Sequence, residues 1–221
     1  RISRSRLLLP SMGLYAIAVW LLCGLVTDHL WLQFACFVIS SYLMVELNNS
    51  NALIRIYSRM VSCSFIMMVC MSTFLLQSSK GMMLSICVVM SFVMAFLSYQ
   101  DKYSMGRIFY SFMSIGIGSM IDVSVLFFVP VMWLAMFFHL QSMTLRTFIS
   151  SLFGLICPYW FVAVYLIYTN DITLAVEHFS QLAVFGKVAN FSQVPVSALV
   201  SICYVTILSV VGIIHYLRNR V

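Results

Sequence analysis

The chain has 221 residues, of which 63% are hydrophobic and 8% charged, and its formal net charge is +6. A soluble domain carries about 25% charged residues, so this composition excludes a chain that covers itself with polar surface. The basic excess is scattered, with no run of five or more like charges. That argues against a polybasic nucleic-acid arm and leaves orientation of membrane helices as the use of the charge.

In chain order, eight apolar stretches approach the ~20 residues a helix needs to cross hydrocarbon. Together they predict one all-α transmembrane bundle over residues 1–221: about eight spans in four hairpins, both termini cytoplasmic. The first, 7–26, follows Arg1, Arg4 and Arg6 and opens through Pro10, which a first helical turn tolerates. No small-residue cleavage site follows it, so it reads as a retained helix, not a leader. Thr27, Asp28 and His29 form a tight turn into the second stretch, 30–45, which ends at Glu46. A polar segment, 47–59, precedes the third stretch, 60–76, whose unbroken apolar run does not alternate as a β-barrel strand does. Gln77, Ser78, Ser79, Lys80 and Gly81 separate it from the fourth, 82–97. Beyond the contested residues 107–139, a stretch covers 145–168 and is predicted to break near Pro158. Residues 169–193 are the longest extramembrane piece. There Ile172, Val176, Phe179, Ala183 and Gly186 recur at helical spacing, which predicts a helix in the outer interface, connecting spans or covering a lateral cavity. The last stretch, 195–217, starts at Pro195. A start without methionine and a stop just past an apolar run read as a portion of something longer.

Residues 107–139 are too long for one span. Split into passes 108–121 and 123–138, they put ten of the twelve basic residues on the side of the N-terminus, Arg55, Arg59, Arg107 and Arg146 among them. A single pass gives a split of eight to four, so the positive-inside rule prefers two passes. A re-entrant hairpin over 108–121 satisfies the charges equally. The first pass is about 21 Å long at helical rise and holds Ser111, Ser114, Gly116, Gly118 and Ser119. Small residues let helices approach closely, so this short helix is expected at the centre, with Asp122 sunk below the outer surface. Arginine, an aromatic and serine recur near 55–58, 107–111 and 146–150, a weak repeat in keeping with serial hairpins.

The outer side collects Asp28, His29, Asp122, Asp171, Glu177 and His178, four of the six acidic residues. Ionisable groups at or within a membrane often mark a pathway or site, and carboxylate-bearing turns serve cation binding or acid–base work on a lipid-linked substrate. The plainer alternative is that Asp favours turns. Seven cysteines sit in apolar runs without a CxxC pair, as small packing residues; no metal or other cofactor is expected. Ser119 in GIGSM lacks the glycine that follows the serine of intramembrane serine proteases, and His215 lies at the opposite depth. No HExxH, phosphate-binding loop or dinucleotide fingerprint occurs.

The segments LNNSNALIRIYSRM, GRIFYSFMSIGIGSMIDVSVLFFVPVMWLAM and LRTFISSLFGLICPYWF, within residues 47–165, resemble an uncharacterised family of multi-pass bacterial inner-membrane proteins. The resemblance implies an inner-membrane location with lipid, and other envelope membrane proteins, as partners; it brings no catalytic residue. Asp28, an acid following the first helix, is also similar to the pattern of transferases that use polyprenyl-linked sugars, whose first external loop is far longer. The expected function is therefore a component of envelope assembly or transport, with a lipid-linked sugar transferase or a small-solute or ion carrier as rivals. Asp28, Asp122 and Glu177 converging on one cavity would favour the transferase. A closed pocket between kinked helices would favour the carrier.

Overall fold

A computed structural model of the chain describes residues 8–51, 60–169, 172–180, 196, 198–200, 202–207 and 210, and these are helical with no strand among them. The elements are α1 (Leu8–Leu22), α2 (Trp31–Asn51), α3 (Met60–Met71), α4 (Thr73–Gln77), α5 (Ser79–Phe96), α6 (Met105–Ile121), α7 (Phe128–Ala135), α8 (Leu145–Thr169) and α9 (Ile172–Ser180). Two of them, α5 and α8, are long and apolar enough to cross a membrane. Arg55, Arg59 and Asp171 lie outside the described residues, as do most of the interfacial segment beyond α9 and part of the last apolar stretch.

Local chemistry explains where these helices depart from the apolar runs. Helix α1 stops at Leu22, four residues early, because Gly24 takes a left-handed conformation (φ 91°) and opens a turn over residues 23–30. Helix α2 runs past Glu46 through the polar LNNSN, since buried Leu47 packs on Val89 and Val93. The third stretch is cut at Ser72, whose hydroxyl bonds back to the Met68 carbonyl (3.0 Å), a contact that bends helices. Between α6 and α7 the backbone turns at Asp122 and continues as a 3₁₀ segment, Val123–Phe127. Pro130 has no N–H to offer the Leu126 carbonyl, so the tighter winding ends only beside it. A wide turn, Met136–Leu140, closes the element, with Gln141 left-handed (φ 51°). The predicted break at Pro158 is absent. Helix α8 runs through it unbroken, and the proline ring fills the hollow left by Gly116.

Pairwise contacts fix the direction of each helix. Leu47 near the end of α2 meets Val93 near the end of α5, and Gln33 Nε2 near the start of α2 donates to Ser79 Oγ at the start of α5 (2.9 Å), so α2 and α5 run parallel. Ser111 Oγ of α6 donates to the Ser91 carbonyl of α5 (2.8 Å), while Gly118 faces Cys87, so α5 and α6 run antiparallel. Phe112 stacks on Trp133 and the Leu140 end packs near Ile108, which folds 105–140 into a hairpin. Ser150 Oγ of α8 donates to the Met105 carbonyl (2.7 Å) and Tyr159 meets Ser119, so α6 and α8 are parallel. Helix α6 thus lies between α5, α7 and α8, the central place its small residues predicted. Lys102, Arg107 and Arg146 fall at one end of this bundle; Asp28, Lys80 and Asp122 fall at the other.

Serines share the interior with apolar side chains such as Trp20, Phe112, Ile115 and Met132, while large apolar side chains also cover the outside. Ser40, Ser91, Ser98, Ser111, Ser119 and Ser151 are buried, and each hydroxyl is satisfied by a helix carbonyl or a neighbouring helix. Leu22 (88% exposed), Leu145, Trp160, Phe161, Tyr165 and Tyr168 (89% exposed) face outward. The tightest seam joins α6 to α8. A Cβ on Gly116 would sit 2.9 Å from the Leu155 carbonyl oxygen, and one on Gly154 would overlap that of Phe109. Backbone approach this close requires glycine on both helices.

Candidate functional site

Unequal helix lengths make the site. Helix α6 ends at Ile121, level with Tyr159, whereas α8 runs on about ten residues to Thr169, an overhang of about 15 Å at helical rise. The tip of the α6 hairpin is therefore sunk beside an apolar wall. Helix α9 then turns back along that wall, so that Phe179 reaches the Tyr159 ring (centroids 5.4 Å) and His178 reaches the α6 tip. The interfacial helix foreseen for this region thus descends beside α8 and covers the depression.

Between these walls lies a cleft of about 630 Å³, with Met120 at its floor, Tyr159, Val162 and Leu166 on α8, and His178 and Phe179 on α9. Three hydrogen bonds organise its polar corner. Ser119 Oγ donates to the Gly116 carbonyl (2.7 Å) and lies 2.6 Å from the Tyr159 hydroxyl. Either hydroxyl can donate in the second bond; with the Ser119 proton on the Gly116 carbonyl, Tyr159 is the donor. His178 Nε2 lies 2.9 Å from the Ser119 carbonyl oxygen; a carbonyl only accepts, so Nε2 carries a proton.

The acidic residues picked out in the sequence do not gather here. Asp122 is exposed at the tip, and its Oδ1 accepts from Ser124 N (2.9 Å), which makes it the N-cap of the following 3₁₀ segment. Asp28 folds over Gly24, where an added Cβ would lie 2.5 Å from Oδ2, and His29 takes the left-handed conformation of its turn (φ 53°). No hydrogen bond or ion pair joins the side chains of Asp28 or His29 to Asp122 or α9 among the described residues. Glu177 is exposed on α9. Of the five candidates, only His178 lines the cleft. Among the described residues no group of three or more His, Cys, Asp or Glu is placed to hold a metal.

Sequence reasoning missed Tyr159, Met120 and Phe179. The length difference was a partial signal: α6 has 17 residues and α8 has 25, but the register that leaves α8 unpaired beyond Tyr159 comes from the contacts of Ser150 with Met105 and of Tyr159 with Ser119. Ser119, set aside as a nucleophile for want of a nearby histidine, does have one, but at its carbonyl.

At the opposite end Arg107 donates through Nη1 to the Leu97 carbonyl and pairs with Asp101 (3.8 Å), both partly exposed. Arg146 is exposed at the start of α8. These contacts tie the basic end to the α5–α6 turn, where a second cleft is lined by Gln100, Lys102, Phe137, Gln141 and Met143. Compared with known proteins, the chain matches no family model, no curated protein and no solved structure, so the family resemblance rests on the sequence segments alone.

Proposed function

We propose that the chain is a multi-pass protein of a cell inner membrane, with about eight spans and both termini cytoplasmic. In this reading it is a component of envelope assembly or transport that works at the depression over the α6 tip. The observation that carries it is the apolar exterior, where Leu22, Leu145, Trp160, Phe161, Tyr165 and Tyr168 face outward, an arrangement that lipid favours and water penalises. Among the described residues Lys102, Arg107 and Arg146 lie at one end and Lys80 at the other, a basic excess that supports the orientation. A sugar transferase needs acids that act on one substrate, and Asp28 and Asp122 share no partner among the described residues. A carrier with a site between kinked helices finds little support in an unbroken α8.

The test is alkaline carbonate extraction combined with cysteine accessibility on a cysteine-free background. Asp122→Cys should react with a membrane-impermeant maleimide in intact cells, and Arg146→Cys only after permeabilisation. Release of the protein by carbonate refutes the integral reading; the reverse labelling pattern refutes the orientation.

A further inference from the structure

The hydrogen-bond ledger of the cleft selects its ligand. With the Ser119 proton on the Gly116 carbonyl, Tyr159 gives its own proton to Ser119 and its oxygen offers lone pairs to a ligand. His178 holds its Nε2 proton on the Ser119 carbonyl, so in the neutral ring Nδ1 is an acceptor as well. The remaining walls are hydrocarbon, and no Lys or Arg lines the cleft among the described residues. An apolar cleft with two acceptors and no cation repels phosphate and carboxylate heads, and leaves a neutral head without a proton to give unanchored. Its volume of about 630 Å³ falls in the ~300–1,000 Å³ range of ligand pockets.

From this complementarity we propose that the cleft between α8 and α9 binds a lipid alcohol: one apolar chain along Val162, Leu166 and Phe179, ending in a free hydroxyl that donates to Tyr159 Oη. The α6 tip supplies the means, because Ser119 fixes both proton positions, one with its hydroxyl and one with its carbonyl. The proposal rests on the membrane reading, since such a ligand is supplied from a bilayer.

The test uses the full chain in phosphatidylcholine vesicles and a long-chain primary alcohol bearing a tail diazirine. Photolysis should label peptides of α8 and α9. Unlabelled alcohol should compete at least ~10-fold better than its methyl ether, the difference expected of one hydrogen bond in an apolar site. Tyr159→Phe should lose about that factor. Ala163→Phe, at an exposed lining position, should abolish labelling while the protein elutes unchanged from a sizing column. Equal competition by alcohol and ether, or labelling indifferent to Ala163→Phe, overturns the proposal. Stronger competition by the phosphate ester also overturns it. Carbonate extraction of the same vesicles reads the membrane assignment independently, so a protein that stays embedded yet fails to discriminate refutes the ligand alone.

Discussion

Replacing Gly154 by alanine tests the architecture at its tightest point. The added Cβ would overlap the Phe109 carbonyl oxygen and lie 3.2 Å from Met113 N. Both obstacles are α6 backbone and neither can swing aside, so the helices must part. Overpacking of this kind costs about 1–3 kcal/mol. Parting also stretches the flanking bonds from Ser150 to Met105 and from Tyr159 to Ser119, at about 0.6 kcal/mol each for polar contacts between membrane helices. Against this, alanine gains up to about 1 kcal/mol over glycine in a helix. The net expectation is a loss of about 1–3 kcal/mol. Gly13→Ala is the control, because nothing lies within 4 Å of its new Cβ; it should be neutral or gain up to about 1 kcal/mol. Equilibrium unfolding in mixed detergent–SDS micelles, followed by tryptophan fluorescence, measures the difference. A Gly154→Ala protein as stable as Gly13→Ala would refute the close α6–α8 seam and the level of the α6 tip that depends on it.

Substitutions at two further positions test individual hydrogen bonds. Asp122→Ala should lose the cap on Ser124 N and cost about 1 kcal/mol, whereas Asp122→Asn, an equally good cap, should unfold at the same SDS fraction as the parent; parity between Asn and Ala would show that charge, not capping, is what the position supplies. Trp133→Phe removes the 3.1 Å bond from its indole N–H to Ser151 Oγ while keeping a ring against Phe112 and Phe148, and should cost about 1 kcal/mol in the same assay; an unchanged midpoint would show that this bond does not hold α7 to α8.

Hydrophobicity and charge made the bundle legible: apolar runs become helices, and the division of 105–140 at Asp122 was visible in charge and small residues. Helix ends were less legible, because they depend on single atoms. A left-handed Gly24 shortens α1, the Ser72 hydroxyl bends α3, and buried Leu47 pulls a polar tail into α2. Pro158 misled for a different reason. A proline weakens its own helix, but a neighbour's glycine can accept the ring, and that neighbour, Gly116, is 42 positions away in sequence. The site was misread through its charges. Carboxylates are conspicuous in an apolar chain, yet Asp122 is occupied by its own turn, while the chemistry of the cleft lies in a tyrosine and a histidine whose protons are directed by Ser119.

The cleft follows from the same packing that holds the core. Glycine on both faces lets α6 and α8 close backbone to backbone, and a helix gripped in this way needs no long apolar surface of its own. Helix α6 can therefore stop at Ile121 while α8, whose outer side is aromatic and exposed, continues to Thr169. The overhang strips one wall of its partner, and an unpartnered apolar wall recruits whatever segment follows it. That segment is α9, nine residues long, whose His178 and Phe179 meet Ser119 and Tyr159. The space enclosed by α9, the α8 overhang and the α6 tip is the cleft. The depth of the site is therefore set by where α6 ends, and its chemistry by what Ser119 holds there.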